Sequence, residues 1–382
     1  MASPVLARYR FYLRQRPTLL VVLSVLGVVF FLSVTGLSKV HFRQRESLGE
    51  RWFNRGISDL NAKHFEAAVT DFRTALLYSR DDYSYQLNLA EALIGLKRTG
   101  EASAYLLNLW DREPDNGVVN LGLARIARQQ GRTDQAVRYY HNAEYAVWPS
   151  GQENQRREAR LELIDLLLQV KDLGNAQAEL IALAANVDDA PGIQKTLGDL
   201  FSRAGDYEHA LAAYRTALRI DRHDSAAMAG AGHAAFQLGR YPLAEHDLQS
   251  AVAADSNDAQ SRQLLQTAEA VLHMDPFRPQ ISTADRDKIV MEAFTTAGQR
   301  LSSCALPRSS IPGPAGSTLS LSDEWNAMKP RITMAGLRRD PDLVSTAMDV
   351  VFRIERQASV ICGNPTGADL ALLLVAKLHE GS

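Results

Sequence analysis

The chain has 382 residues, of which 46% are hydrophobic, and a formal net charge of −2. Length and apolar content suffice for two or three domains with real cores. A charge so near zero gives no general attraction to nucleic acid, which needs a concentrated basic surface.

The one local asymmetry lies at the start, where Arg8, Arg10, Arg14 and Arg16 occur without any acid in residues 1–17. Residues 18–38, TLLVVLSVLGVVFFLSVTGLS, then carry no charge at all. About 20 apolar residues at 1.5 Å each cross the roughly 30 Å of bilayer hydrocarbon, so this run reads as a transmembrane helix. A cleaved signal is the alternative, but its core usually runs only about 7–15 residues, and Val34 and Gly36 make a poor cleavage pattern. A buried core helix fits less well, because the run is apolar on every face. Four arginines precede the span, whereas Lys39, Arg43 and Arg45 follow it. The positive-inside bias therefore favours a cytoplasmic N-terminus with the remainder across the membrane.

From residue 49 a pattern recurs every 34 residues. Residues 191–224 place Leu197–Gly198, Ala210, Tyr214 and Ala217 at the seventh, eighth, twentieth, twenty-fourth and twenty-seventh positions. Residues 49–82 answer with Gly56, Ala68, Phe72 and Ala75; residues 83–116 with Ala90, Ala102, Leu106 and Leu109. Residues 117–150 give Ala124, Ala136, Tyr140 and Ala143; residues 225–258 give Gly232, Ala244, Leu248 and Ala251. A degenerate unit at 157–190 supplies Leu163, Ala176, Leu180 and Leu183, after an insertion at 151–156. Turn signals fall at the same place in several units: QGRTDQA, AGDYEHA, LGRYPLA.

This pattern resembles the tetratricopeptide repeat family. The resemblance implies an all-α, right-handed α-solenoid of about six helix pairs, units one to three over 49–150 and four to six over 157–258. Gly or Ala at the eighth position lets the two helices of a pair approach, and the bulky twenty-fourth residue fills the space between neighbouring units. Residues 259–276 then read as the closing helix, with Leu264, Leu265, Ala268 and Leu272 on its packed side.

The resemblance also implies a concave face lined by the first helix of each pair. Candidate partner-binding residues there are Ile57, Leu87, Glu91, Arg125, Arg128, Lys195, Asp199 and Arg203, an apolar floor followed by charges of both signs. One subset of the family grips C-terminal carboxylates with Lys and Asn. Asn88 matches one such position, but Phe53, Ile57, Val118 and Gly122 occupy the others, which argues against that ligand.

Prolines in MDPFRPQIS, residues 274–282, end the repeats. Residues 277–382 form a C-terminal helical region, with helices expected at 283–302, 341–358 and 367–379 and a flexible Pro/Ser/Gly-rich loop at 305–323. Both cysteines fall here, Cys304 and Cys362, each at a helix end. A disulfide is expected if the region is extracytoplasmic, stabilising by roughly 4 kcal/mol through a loop of about 57 residues; two buried free thiols are the alternative.

No H-E-x-x-H, G-x-S-x-G, phosphate loop, C-x-x-C or paired metal spacing is present. No catalytic residue, cofactor or metal is therefore expected, and the chain is not read as an enzyme. The expectation is a membrane-tethered scaffold holding a protein or peptide in the repeat groove, in bacterial envelope assembly or biogenesis. It would be anchored by a single pass in the inner membrane with the soluble region in the periplasm. A cytosol-facing receptor or chaperone, and an enzyme seated in residues 277–382, are the alternatives. Ala210→Arg should lower the thermal midpoint by more than an overpacked methylene, roughly 1–3 kcal/mol, because it also buries a charge; an unchanged melt would refute the repeat frame.

Overall fold

The computed structural model describes residues 17–148, 151–186, 190–304 and 320–380. The basic segment 1–16 and positions 305–319 of the expected loop lie outside them. The described residues are all-α. In chain order the helices are α1 (Pro17–Asn61), α2 (Phe65–Tyr78), α3 (Tyr83–Gly95), α4 (Thr99–Arg112), α5 (Gly117–Gln129), α6 (Thr133–Tyr145) and α7 (Glu153–Gln169). They continue with α8 (Leu173–Ala184), α9 (Pro191–Arg203), α10 (Tyr207–Ile220), α11 (Ser225–Gln237), α12 (Tyr241–Ala254) and α13 (Ala259–Met274). The last five are α14 (Thr283–Ser303), α15 (Leu321–Met328), α16 (Met334–Arg339), α17 (Asp342–Ile361) and α18 (Gly367–Leu378). Two compact units divide the chain, Met1–Val170 and Lys171–Ser382.

The backbone carries the repeat as plainly as the sequence does. Positive φ occurs at Lys63, Lys97, Gly131, Lys171, Gly205 and Gly239, the fifteenth position of each of the six 34-residue units. There the first helix of each pair ends in a left-handed residue. Lys97 N–H donates to Ile94 O and Arg98 N–H to Leu93 O, both at 2.9 Å, and the same pair of bonds recurs at 131–132, 205–206 and 239–240. This is the Schellman stop, which satisfies carbonyls that the helix end leaves open. Three lysines stand where glycine would adopt the conformation without steric cost.

Packing in several of the repeats rests on missing β-carbons. A Cβ at Gly56 would lie 2.6 Å from the Phe72 ring, and one at Gly198 would lie 2.6 Å from Tyr214. The same Tyr214 also lies against Gly230 of the following pair, and Leu106 against Gly122, 2.8 Å from where its Cβ would stand. The twenty-fourth residue is thus wedged between the first helix of its own pair and that of the next. Ala68, Phe72, Ala75, Ala210 and Ala217 are wholly buried, the two alanines of each pair being contact points on one helix face, two turns apart.

Two features go beyond the expected elements. The helix that carries the apolar run does not end with it: α1 passes from Pro17 to Asn61 without a break. Neither proline nor glycine lies between Lys39 and Leu48 to end it. The expected loop 305–323 also closes early. Ser320 caps α15 by accepting from Asp323 N–H at 3.2 Å and donating its hydroxyl to the Asp323 carboxylate at 2.7 Å, so residues 320–323 are the start of a helix. The short α16 was not foreseen either.

In the second unit α18 packs on α13, covering the apolar side of the closing helix. Trp325 of α15 stacks on Phe294 of α14 with centroids 5.3 Å apart and donates its indole N–H to Phe294 O at 3.1 Å. Cys304 and Cys362 form a disulfide joining the ends of α14 and α17, with Cα atoms 6.0 Å apart.

Gly56→Ala tests the packing. Alanine gains about 1 kcal/mol in helix propensity, but the Phe72 ring it meets is wholly buried, with Phe53 5.7 Å away. Overpacking, about 1–3 kcal/mol, should win, and urea unfolding should show a net loss.

Candidate functional site

Five of the sequence-predicted groove residues lie in the first unit and three in the second. In the first unit, Phe53, Ile57 and Leu60 on α1, with Leu87 and Ile94 on α3, are only partly buried. They rest on a core that includes Phe72, Leu89 and Leu93. Phe53 stacks on Tyr85 at 4.8 Å between centroids, which fixes its ring. An apolar row, half covered by its own core, is left open on the first helices of the first two pairs.

The charged residues beside that row are occupied. Arg125 of α5 reaches Glu162 of α7 with Nε at 3.0 Å and Nη2 at 2.6 Å, and Glu158 with Nη2 at 3.0 Å. Arg128 meets Asp165 at 2.6 Å, and Tyr140 donates to Glu162 at 2.8 Å. Burial pulls both guanidinium pKa values down, but the hydrogen bonds and charges of Glu162 and Asp165 outweigh it and leave them raised. The two arginines latch α5 to α7. Glu91 retains an exposed edge, yet burial of its carboxyl raises its pKa, Arg125 opposing and Glu158 adding. Asn88 donates to Ser84 O at 2.8 Å on its own helix.

In the second unit Lys195, Asp199 and Arg203 stand four residues apart along one side of α9. Lys195 is half-buried; Asp199 and Arg203 are exposed. Asp199 accepts the Tyr214 hydroxyl at 2.7 Å, so this acid steadies the wedge residue of its pair.

A polar cluster in the C-terminal helices was missed from sequence. Glu355 of α17 is wholly buried and neither carboxylate oxygen has a hydrogen-bond partner among the described residues. Asp369 of α18 and Arg300 of α14 are near it, Arg300 Nε lying 3.8 Å from Asp369 and Nη2 donating to Gly363 O at 3.1 Å. Burial, reinforced by the charge of Asp369 against that of Arg300, pushes the Glu355 pKa up to about 8. The sequence did hold a signal: position 355 falls on the apolar stripe of Met348, Val351 and Ala358, where a carboxylate has no water. The cleft of about 410 Å³ beside Glu113, Asn116 and Trp148 lies in the other unit.

Because its folded pKa exceeds the ordinary 4.5, Glu355 contributes stability that is complete below about pH 4.5 and is lost as pH rises through about 8. The melting midpoint of the second unit should fall by several degrees across that window, and Glu355→Gln should flatten the slope and raise the midpoint at the alkaline end, as read by thermal melts of both proteins.

Residues 53–118 and 195–259 match one tetratricopeptide repeat family model, and residues 121–145 match a second. A comparison with curated protein sequences finds no significant match. Among solved structures, PilF of Pseudomonas aeruginosa aligns at 14% identity over 57% of this chain and 97% of its own, with a TM-score of 0.41. The type IV pilus biogenesis factor PilW aligns at 16% identity over 58% and 98%, with a TM-score of 0.39. The TPR2AB domain of yeast Sti1, solved in an Hsp90 complex, aligns at 16% identity over 66% and 92%, with a TM-score of 0.29.

Proposed function

The chain belongs to the tetratricopeptide-repeat proteins, through residues 53–118, 121–145 and 195–259, and from that premise we propose a membrane-tethered scaffold that holds a partner polypeptide on the first helices of its first unit. One observation carries this reading: Ile57, Leu60, Leu87 and Ile94 form an apolar row that the fold supports from beneath but leaves open above. Binding there is led by apolar side chains, since Arg125 and Arg128 are already neutralised by Glu158, Glu162 and Asp165. A C-terminal carboxylate is a poor fit for the same reason, and because Asn88 is turned to its own helix.

The tether is the N-terminal part of α1, which is long and apolar enough to cross a membrane and has none of that apolar stretch buried. Its preceding arginines support a cytoplasmic N-terminus. The disulfide between Cys304 and Cys362 supports an oxidising compartment for the rest, the periplasm. The scaffold then acts in envelope assembly or biogenesis.

The test is photo-crosslinking from position 87 in native membranes, with the captured polypeptide identified by mass spectrometry and its affinity then measured. Burying a leucine is worth about 1.5–3 kcal/mol, and Leu87 already has most of its surface covered by the core beneath it. Leu87→Glu should therefore weaken binding several-fold and lower the thermal midpoint by a few degrees. Arg125→Ala should also lower the midpoint, since it strips two acids of their partner, but should leave capture intact. Undiminished capture by Leu87→Glu would overturn the apolar-face reading.

A further inference from the structure

Where α1 leaves the apolar run, it encloses a pocket of about 190 Å³ with the end of α2 and the start of α3. The rings of Phe42, Tyr78 and Tyr85 line it, together with three acids, Glu46, Glu50 and Asp82, and with Arg45. On α1 the positions 42, 46, 50, 53, 57 and 60 recur every three or four residues, which is one stripe of a helix. The pocket is thus the first station of the stripe whose later residues, Ile57 and Leu60, belong to the open apolar row. Phe53, stacked on Tyr85, joins the two.

The pocket is short of cations. Arg45 is the one base that lines it, and its Nη2 already donates to the carbonyls of Leu77, at 3.2 Å, and Tyr78, at 3.1 Å, the negative end of α2. None of the three acids has an ion-pair partner among the described residues. Asp82 spends one oxygen on the Tyr85 N–H at 3.0 Å, capping α3. The acids are not gathered closely enough to share a metal ion. Tyr85 supplies an independent sign. It is only 6% exposed, yet its hydroxyl has no hydrogen-bond partner among the described residues. A Cβ on Gly49 would lie 3.2 Å from that oxygen, so the hydroxyl stands against α1 between Glu46 and Glu50. Burial, and then the charges of Asp82, Glu50 and Glu46, hold its pKa above the ordinary tyrosine value. The hydroxyl stays neutral and its oxygen is free to accept.

Acceptors flanked by rings call for a cation with donors of its own. A primary ammonium has three donors and no acceptor, and its alkyl stem lies on apolar surface while the charge faces aromatic rings. A quaternary ammonium would leave the acceptors unmet. Pockets for whole small molecules run about 300–1,000 Å³, so this one admits a single side chain. Glu46 and Glu50 stand roughly 12 and 18 Å past Ser38 along α1, beyond a headgroup layer roughly 5–8 Å deep, so lipid amines do not reach it. We propose that the pocket receives a lysine side chain of the polypeptide whose apolar residues lie against Ile57 and Leu87. The inference rests on the apolar-face reading of the first unit and adds a register to it. Glu50 and Ile57 are roughly 10 Å apart along α1, a span of three extended residues at roughly 3.3 Å each. The lysine therefore stands about three positions from the first apolar residue of the partner.

The experiment is saturation-transfer NMR on the full chain in deuterated detergent micelles. Its probe is N-acetyl-lysine methylamide, and the norleucine analogue, which lacks the charge, is the control. The lysine compound should bind several-fold tighter than the analogue, and more weakly as salt rises. Glu46→Gln with Glu50→Gln, both exposed on α1, should weaken it about tenfold, and Tyr85→Phe, which keeps the ring, about threefold. Glu66→Gln, at the opposite end of α2, should change nothing. A capped hexapeptide, Lys-Ser-Ser-Leu-Ser-Leu, should bind tighter than the lysine compound, and Leu87→Glu should remove that gain alone. Equal binding of lysine and norleucine, or no loss in the neutralised variants, refutes the pocket. If lysine binds but the peptide gains nothing, the occupant is a free amine and the proposed partner lysine is refuted. If the peptide's gain survives Leu87→Glu, the apolar row fails while the ammonium pocket stands.

Discussion

The wedge at the twenty-fourth repeat position is the constraint on which the rest depends. Phe72 and Tyr214 occupy space that exists only because Gly56, Gly198 and Gly230 have no side chain. Close approach of the first helix brings the aromatic ring within dispersion range of two backbones at once. Each pair therefore lacks part of its own core until a neighbour supplies it, the physical meaning of a repeat fold. It also explains why the first helices carry the candidate face. Their small positions are used up inward, so the larger residues of the same helices, Ile57 and Leu87, are turned outward.

Electrostatics in the first unit follow from that stacking. Helices of successive pairs lie close enough for Arg125 and Arg128 to reach three acids on α7. A partly exposed forked pair of this kind adds modestly to stability, and its larger effect is to fix the register of α5 on α7. The consequence for recognition is subtractive: two cations that the sequence offers to a partner are already taken up by acids of the same unit.

The repeat frame was legible because its signal is compositional, with glycine or alanine at the eighth position and an aromatic or leucine at the twenty-fourth. The helix stops were legible only in part. Gly131, Gly205 and Gly239 announce a left-handed residue, but Lys63, Lys97 and Lys171 do the same work with no glycine to mark it. Only the spacing of 34 gives them away. The joining of the apolar run to the first repeat was not read, because the two were assigned on different signals, hydropathy and repeat spacing, and neither speaks for Lys39 to Leu48, which are acceptable in a helix. Nor was the pairing of Arg125 with Glu162 read, since 37 residues separate them in the chain and periodicity within one helix says nothing of a neighbour. Glu355 hid inside an otherwise apolar stripe, an exception that a periodicity count averages away.

The unbroken α1 has a consequence in azimuth. A helix transmits rotation as faithfully as length, and each residue turns the axis by about 100°. Insertion of a single residue between Lys39 and Arg45 would swing Ile57 and Leu87 about a quarter turn around the rod relative to whatever grips its apolar end. The direction in which the repeat face looks is thus written into the residue count of the stretch from Lys39 to Leu48.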